Sequence, residues 1–557
     1  MEIGEKKIFD KNAAYERWDQ KNQRRGNDKY FQEQEREESY LRELKGRIQN
    51  NTSGFLKVVM TALIVLAQIG IVMSFSLQII KHGAIWYYLI QVFAMIAIVT
   101  LINRNQSPSY RIAWISIITL LPITGYLLYF LWGRSSGKKK KQLDTHIMRQ
   151  ISYGNKFLVQ DDDLWVDYAE ENPVSGRMVK FMLSEDFLLT GGNQVEYFPM
   201  GQDAFESIFR ELEKAEKFVL IDFFIVAEGA LWDKMHGILK RKIEEGVEVK
   251  FLYDDFGAAI RTRKYFKQIL EHEGFEIRVF NPIMKYTSQL YMNFRSHQKI
   301  MVIDGKVGYT GGFNLADEYA NLVERFGVWK DTGIKVQGDA VWGLTVVFLQ
   351  MWEASGNDKE HVDYLKYKVL SEEKGDTWCQ VISDGPANNP KNPIESIYNQ
   401  MIMYSDQYLY ITTPYLIIED YMKESLIEAA RRGVDVRIVT PNIPDKKYAK
   451  MLTNYNYGSL LKGGVRIYEY TPGFIHAKQI LTEDAVIVGT INMDYRSFYL
   501  HYENGVWMSG EKIQNDIYCD FQKMFEESNE IKYEDWKNRP RSWKILQPLL
   551  NLFATLF

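Results

Sequence analysis

The sequence predicts an α/β protein made of two similar lobes, preceded by apolar segments long enough to cross a membrane. Three observations support this prediction. Helical segments alternate with short β-rich runs, this pattern occurs twice, and three charge-free stretches lie near the N-terminus. With 557 residues, the chain is long enough for several domains of roughly 150 residues each.

The composition excludes several classes of protein. Hydrophobic residues make up 46% of the chain and charged residues 25%, as in an ordinary globular protein. The formal net charge of −4 gives no electrostatic footprint for nucleic-acid binding, so we expect no nucleic-acid partner. The two cysteines, Cys379 and Cys519, lie far apart and form no CxxC pair. They therefore indicate neither a disulfide framework nor a cysteine zinc site.

Residues 1–54 carry dense charge of both signs and few aliphatic side chains. We interpret this segment as a solvated helix or disordered arm; a contact between its basic residues and anionic lipid headgroups is the alternative. The next segment, 55–134, is expected to lie in the membrane. Its charge-free stretches, 58–80, 83–102 and 112–132, each reach the roughly 20 residues that a helix needs to cross the hydrocarbon core.

The charges that flank this membrane segment and the number of its apolar stretches give conflicting indications of its orientation. Basic residues flank both of its outer ends, and the strongest cluster is Lys138–Lys141. The positive-inside rule asks for both ends to be cytoplasmic, whereas three full spans would place them on opposite sides. Either one stretch is re-entrant, with a break near Pro122, or one charge bias is overridden. We expect the lobes to lie on the cytoplasmic face.

After a linker at 135–180, the pattern of helices and β-rich runs begins. Strand-like runs in the first copy are 218–226, 247–253 and 275–280. Segments recur in the second copy about 180–190 residues later, which indicates an internal duplication. We expect a first lobe at 181–370 and a second at 371–535, packed about a pseudo-two-fold axis.

The chain ends in an apolar tail, 536–557, whose apolar run is too short to span a membrane. We expect this tail to pack as a helix on the lobes. Anchoring in the membrane interface is the alternative.

One histidine and one lysine, two residues apart, occur in each lobe: His297 with Lys299, and His476 with Lys478. At this spacing on a strand, both side chains project from the same face. Two such pairs can give one site two imidazoles and two cations. That set suits a double displacement at a phosphate diester, in which one histidine attacks and the other serves the leaving group. The lysines would neutralise the non-bridging oxygens in the transition state.

Each pair is followed by an acid, a small residue and an asparagine. These are Asp304, Gly312 and Asn314 in the first copy, and Glu483, Thr490 and Asn492 in the second. Asp304-Gly305 is a hairpin turn signal. The small residues would let a phosphate oxygen approach backbone N–H groups, and the asparagines offer amide donors. If the acid braces strand ends, Glu483 can replace an aspartate; if it contacts the site, the second half is weakened.

A histidine nucleophile also needs its other ring nitrogen held by an acceptor, usually a carboxylate. Asp331 follows His297 by 34 residues and is the candidate in the first half, where Glu318 and Glu324 compete for the role. Glu503 follows His476 by 27 residues and is the candidate in the second half. We expect neither a metal nor a cofactor. Lysine is not a usual zinc ligand, and the chain contains no P-loop pattern.

These motifs resemble the duplicated HxKxxxxDxxxxxxGG/SxN signature of the phospholipase D superfamily. Within it, they look like those of the bacterial cardiolipin synthases. The resemblance also rests on segments outside the signature: Asn103-Arg104-Asn105, Asp384-Gly385-Pro386, Thr412-Thr413-Pro414-Tyr415 and Asp494-Tyr495-Arg496-Ser497-Phe498. It covers roughly residues 80–530. The first apolar stretch is an extension of the two-stretch pattern usual in that family.

The resemblance implies that His297 is the nucleophile and His476 the general acid and then base, in a catalytic set with Lys299, Asp304, Lys478 and Glu483. It implies the joining of two phosphatidylglycerols, with release of glycerol, by a membrane-embedded protein without metal or nucleotide. Phosphatidylglycerol and membrane lipids are thus the expected partners. Hydrolysis or transfer to another acceptor, a nuclease, and a scaffold with a decayed site are the alternatives. Membrane anchoring and the net charge argue against the nuclease, and a scaffold would have lost a motif histidine or lysine.

Overall fold

The computed structural model describes residues 84–121 and 138–556, apart from residue 105 and the segments 283–292, 357–360 and 370–374. A few isolated positions between 63 and 133 are also described. The charged arm at 1–54 and nearly all of the predicted span at 58–80 lie outside the described residues.

In the described part of the chain, sixteen strands form one mixed sheet and two more form a small parallel pair. The strands are β1 (Leu189–Phe198), β2 (Phe218–Phe223), β3 (Glu248–Asp254), β4 (Glu276–Phe280), β5 (Arg295–Ser296), β6 (Lys299–Ile303), β7 (Val307–Gly311), β8 (Val328–Lys330), β9 (Gly333–Gln337), β10 (Thr377–Asp384), β11 (Tyr408–Thr412), β12 (Asp435–Pro441), β13 (Arg466–Tyr470), β14 (Gly473–Ile475), β15 (Gln479–Thr482), β16 (Val486–Gly489), β17 (His501–Ser509) and β18 (Ser528–Ile531). The small pair is β14 and β8.

The strand order of one half is repeated in reverse in the other half. From β1 outward the order is β9, β7, β6, β2, β3 and β4; from β10 outward it is β17, β16, β15, β11, β12 and β13. Strands β1 and β10 pair antiparallel and join the halves. A reversed order on either side of one junction is what a two-fold arrangement requires, so the predicted duplication is confirmed.

The central strands form because their sequences are apolar on both faces. All six residues of Phe218–Phe223 are buried, as expected for a strand covered on each side. The predicted hairpin is also present. Residues 304–306 join β6 to β7, and Asp304 and Gly305 have φ of 52° and 67°, the left-handed conformation that such a tight turn demands.

Helices cover both faces of this sheet. They are α1 (Ala84–Ile102), α2 (Pro108–Leu120), α3 (Lys138–Asn155), α4 (Asp162–Glu171), α5 (Ser175–Ser184), α6 (Gly201–Leu212), α7 (Ala230–Glu244), α8 (Asp255–Ala258), α9 (Phe266–His272), α10 (Ala340–Ala354), α11 (Pro393–Tyr404), α12 (Asp420–Arg431), α13 (Lys447–Lys462), α14 (Tyr495–Tyr499), α15 (Glu511–Glu526), α16 (Tyr533–Lys537) and α17 (Arg541–Leu552). Helices α10 and α15 share one apolar core with both halves of the sheet, and separate cores lie under each half on the other face.

The segment 135–180, which we expected to act as a linker, contains α3, α4 and part of α5. Helix α3 packs against α10 because Leu143, Ile147 and Ile151 recur every four residues and form one apolar face. The linker prediction is therefore corrected: this segment is part of the folded body.

Two helices lie within the predicted membrane segment. Helix α1 follows the second predicted stretch closely, whereas α2 ends at Leu120 and does not continue to residue 132. A proline disfavours helical backbone in the preceding residue, and Leu121, which precedes Pro122, has left the helical region. Among the described residues, no helix has both the length and the apolarity required to cross a bilayer.

The apolar tail forms α17 and a short 3₁₀ helix, Ala554–Leu556. Helix α17 packs against α13, and the 3₁₀ helix packs against α2 and α14. The tail is thus a helix packed on the second half, as we expected.

Candidate active site

The two motif histidines face one cavity of about 670 Å³ between the halves of the protein. The motif residues His297, Asn314, His476 and Asn492 line it together with aromatic and cationic side chains. The aromatic side chains are Phe224, Phe256, Tyr319, Phe326, Trp329, Tyr415, Tyr448, Phe474 and Tyr495, and the cationic ones are Arg261, Arg295, Arg325, Lys446 and Arg496. Apolar walls with a few converging polar groups are typical of a small-molecule site.

Glu503 fixes the orientation of His297. Its carboxylate oxygens lie 2.9 and 3.0 Å from Nδ1 of His297. The carboxylate also accepts hydrogen bonds from the hydroxyl groups of Thr490 and Ser497. In addition, the backbone N–H of His297 donates to the carbonyl of Tyr502, 2.8 Å away. These contacts hold Nδ1, so Nε2 is the ring nitrogen left for chemistry.

Asp331 makes the matching contact with His476. Its Oδ2 lies 2.6 Å from Nδ1 of His476, and the backbone N–H of His476 donates to the carbonyl of Lys330 at 2.7 Å. Strands β14 and β8 run parallel at this point and bring the two halves together.

The acid that holds each histidine therefore comes from the opposite half. We expected Asp331 to serve the first half and Glu503 the second, and that pairing was wrong. Each acid directly follows residues that pair with the short strand just before the other half's histidine. Strand β8 pairs with β14, and the first two residues of β17 pair with β5. Spacing along the chain could not reveal a contact made across the interface.

The two lysines are buried beside their histidines. Nζ of Lys299 donates to the backbone carbonyl of His297 at 2.6 Å. Nζ of Lys478 contacts the carbonyl of His476 and lies 2.8 Å from its Nδ1. Each lysine Nζ is therefore in direct contact with its motif histidine.

Gly312 and Thr490 have roles that differ from the predicted phosphate contact. Their backbone N–H groups donate to the carbonyls of Thr332 and Asn504, so they are not available to a phosphate. Gly312 leaves room for the acid: a Cβ there would lie 2.0 Å from Oδ1 of Asp331. Thr490 instead supplies the hydroxyl that contacts Glu503. Both positions therefore serve the histidine–acid pairs.

Both motif asparagines line the cavity. Oδ1 of Asn314 accepts a hydrogen bond from the backbone N–H of Ile225 at 3.0 Å, which leaves the amide donors of Asn314 oriented by that contact. The buried Oδ1 of Asn492 has no hydrogen-bond partner among the described residues.

Asp304 and Glu483 do not line the cavity. The carboxylate of Asp304 accepts hydrogen bonds from the backbone N–H groups of Glu216, Lys217 and Phe218, at 2.7–2.9 Å. Glu483 accepts from Asp406 and Tyr408 at the matching strand start. Since a strand rises about 3.3 Å per residue, Asp304 lies roughly 16 Å along the chain from Lys299. These acids brace the strands, which corrects their predicted place in the catalytic set.

Burial shifts the ionisation of the site. Burial and the ammonium charges of Lys299 and Lys478 hold the pKa of His297 well below its usual value. Burial and the charge of Lys478 lower the pKa of His476 to about 4. Burial likewise lowers the pKa of Lys299 to about 7 and that of Lys478 to about 8. Both histidines are therefore neutral near pH 7 before an anion binds.

Three side chains of the site could also hold a metal ion. His297, His501 and Glu503 offer ligand atoms within 4.8 Å of one another, and imidazole and carboxylate are transition-metal ligands. However, the charge of Lys299 acts on His297 and His501 and opposes a further cation at this position. The local charge favours an anion such as a phosphate diester.

His501 and Ser497 were missed in the sequence. The ring of His501 lies 5.4 Å from that of His297 and faces the same cavity. Its place two residues before Glu503 on a strand was the available signal, because residues i and i+2 share a face. Ser497, which donates to Glu503 at 2.7 Å, carries no such signal.

Comparisons with known proteins identify the family of this chain. The family model described as "Cardiolipin synthase, PLD-like domain" matches residues 208–337 and 398–525. A second model, described as phospholipase D-nuclease N-terminal, matches residues 92–134. The crystal structure of a phosphatidylserine synthase from Haemophilus influenzae is 13% identical, with a TM-score of 0.53, and the match covers 68% of this chain and 98% of that one. That likeness shows the fold.

Two relatives align with most of the chain. An uncharacterized protein of Streptococcus mutans is 36% identical, over 83% of this chain and 99% of its own length. A cardiolipin synthase of Geobacillus kaustophilus is 31% identical, over 81% of this chain and 90% of its own length. The chain therefore belongs to the cardiolipin synthase family of phospholipase D-like enzymes.

Proposed function

We propose that the protein joins two phosphatidylglycerol molecules, forming cardiolipin and releasing glycerol. The observation that carries this proposal is that two histidines face one cavity, each held at Nδ1 by an acid of the opposite half. A buried lysine lies beside each histidine. Membership of the cardiolipin synthase family supports the choice of substrate.

In the first step, Nε2 of His297 attacks the phosphorus of the donor. The new N–P bond replaces the P–O bond to the glycerol headgroup, and protonated His476 gives its proton to the departing oxygen. The anionic phosphate raises the pKa of His476 when it binds, because an opposite charge nearby favours the imidazolium form. Lys299 and Lys478 offset the charge that builds on the non-bridging oxygens.

In the second step, His476 accepts a proton from the headgroup hydroxyl of a second phosphatidylglycerol. The oxygen of that hydroxyl forms a bond to phosphorus, the N–P bond breaks, and His297 is restored. Every proton and bond is then accounted for without an additional reactant. Water in place of the second lipid would give phosphatidic acid.

We further propose that the apolar segments at 58–80, 83–102 and 112–132 hold the two lobes at the cytoplasmic face of the membrane. Lys138–Lys141 supports this side under the positive-inside rule. Anchoring would keep the cavity where both lipids reside at high effective concentration.

The proposal is tested by lipid analysis after the full-length protein is incubated in phosphatidylglycerol vesicles. Cardiolipin and glycerol in equal amounts are expected, and His297→Ala should abolish both products. Phosphatidic acid without cardiolipin would identify a hydrolase instead. If wild-type protein and His297→Ala gave the same lipids, the assignment would be wrong.

A further inference from the structure

We propose that the C-terminal helix α17 lies in the headgroup region of an anionic bilayer and holds the mouth of the cavity against the membrane surface. This inference rests on the proposed function in one respect, since it assumes that the substrates are membrane lipids. Four observations support it: the two faces of α17, its contact with the N-terminal apolar helices, its position beside the cavity, and its charge.

Helix α17 has one face fixed to the protein and one face exposed. Gln547 is fully buried and donates hydrogen bonds to the carbonyl of Met451 and to Oδ1 of Asn454, at 3.1 and 2.9 Å. Ile545 and Leu549 are 70% and 55% exposed. At about 100° per residue, these two side chains lie within roughly 40° of each other and on the side opposite Gln547. An exposed aliphatic face on a helix that also carries polar and basic residues is typical of a helix lying in the membrane interface.

Helix α17 lies beside the helices of the predicted membrane segment, next to α2 directly and next to α1 through α2. Helix α17 and the following 3₁₀ helix pack against α2, and Leu556 packs beside the cluster that contains Trp114 and Ile118. Helices α1 and α2 themselves expose large apolar side chains, among them Phe93 and Leu120. Helix α17 and the two helices of the predicted membrane segment therefore bring their exposed apolar side chains together, in a patch larger than scattered single side chains.

This surface lies beside the mouth of the active-site cavity. Ala554, just beyond α17, lines the cavity. Tyr448 lines it too and is 43% exposed; it stands at the start of α13, the helix on which α17 packs. Phe256 of the first half is likewise both a lining residue and exposed. Exposed aromatic rings at a rim suit the boundary between lipid headgroups and acyl chains.

The charges on this side suit an anionic lipid surface. Arg541 and Lys544 of α17 are exposed, and so are Lys446 and Lys447 at the start of α13. Basic residues beside aliphatic ones attract anionic headgroups near the membrane surface. Phosphatidylglycerol carries such a charge. An anionic bilayer therefore fits this mixture of basic and apolar residues.

The direct test places a fluorophore on α17 in the full-length protein. Cys519 is exposed and Cys379 is buried, so Cys519→Ser gives a background in which Ile545→Cys can be labelled with a polarity-sensitive dye. Leu365→Cys, an exposed apolar position in another helix, is the matched control. In vesicles that contain phosphatidylglycerol, nitroxide lipids should quench the dye at 545 at least threefold more than at 365. Equal quenching at the two positions would overturn the proposal. It would also be overturned if the dye at 545 became shielded only as the amount of protein per vesicle increased, because a second copy of the protein would then cover α17.

A kinetic test separates this inference from the proposed function. Ile545→Asp with Leu549→Asp should lower cardiolipin formation from vesicles at least tenfold, and change it less than twofold with short-chain phosphatidylglycerol in detergent. Unchanged activity on vesicles, or an equal loss on both substrates, would contradict the role of α17. Wild-type protein that formed no cardiolipin from either substrate would refute the proposed function instead.

Discussion

Glu503 of the second half holds His297 of the first, with its carboxylate oxygens 2.9 and 3.0 Å from Nδ1. Asp331 of the first half holds His476 of the second in the same way. Neither half therefore contains a complete histidine–acid pair. The orientation of each histidine therefore depends on the interface between the halves, and a change at that interface should disturb both histidine–acid pairs.

Glu503→Gln should lower kcat by about 10³–10⁴, because the amide can stabilise the wrong tautomer of His297. KM should change little, since the cavity keeps its shape. Steady-state kinetics of cardiolipin formation would measure both constants. Thr490→Val is the milder companion: it removes one hydroxyl contact to the same carboxylate and should have a smaller effect. A kcat for Glu503→Gln within tenfold of wild type would show that this acid does not orient the nucleophile.

A covalent adduct should form on His297 and not on His476. His476→Ala removes the group that serves both the leaving oxygen and the incoming hydroxyl, so the adduct should form slowly, turn over slowly and remain on His297 when the reaction is quenched. Mass spectrometry of peptides from protein quenched with phosphatidylglycerol would locate the phosphatidyl group. His297→Ala is the control and should carry none. An adduct on His476 in the His297→Ala protein would reverse the two roles.

Gly312→Ala should reduce activity about 10²-fold, because the added Cβ would push Asp331 away from His476. Gly246→Ala is a matched control: its φ of +93° makes a side chain unfavourable, yet nothing lies within 4 Å. That control should lose about 1–2 kcal/mol of stability and keep its activity. Activity and thermal unfolding of both variants would be measured together. Equal activities would contradict the role of the glycine.

Glu483→Gln should affect stability and leave the chemistry intact. The carboxylate accepts hydrogen bonds from the backbone of Asp406 and Tyr408, and weakening these should cost about 1–3 kcal/mol. Denaturant unfolding gives the stability, and kcat of the folded fraction gives the chemistry. Asp484→Asn, a change in the neighbouring acid, is the control. A hundredfold loss of kcat in a fully folded Glu483→Gln would return this residue to the catalytic set.

The alkaline limb of activity should reflect the buried lysines. Burial lowers the pKa of Lys299 to about 7 and that of Lys478 to about 8, and each carries its charge only below its pKa. Since kcat/KM reports the free enzyme, it should fall as pH rises from about 7 to about 9. Bound phosphate favours the charged lysines, so the decline in kcat should occur at higher pH. A flat kcat/KM over this range would contradict the shifted lysines.

Much of this protein could be read from local pattern. The hairpin at Asp304-Gly305 follows from two residues that favour left-handed backbone, and β2 follows from a run of apolar side chains. The His-x-Lys pairs identified the two histidines that line the cavity, although both histidines lie between strands and not within one: His297 precedes β6, and His476 follows β14. The helix at Lys138–Asn155 was missed because its basic start resembles a tether, although Ile147 lies in the core.

The sequence by itself determined the duplicated α/β frame, the two histidine–lysine pairs and the phospholipase D-like chemistry, because each depends on residues close together in the chain. Only the tertiary structure decided which acid serves which histidine, since His297 and Glu503 are 206 residues apart and His476 and Asp331 are 145 apart. It also decided that Asp304 and Glu483 brace strands. Such contacts arise when separate strands dock, and spacing along the chain carries no record of that docking.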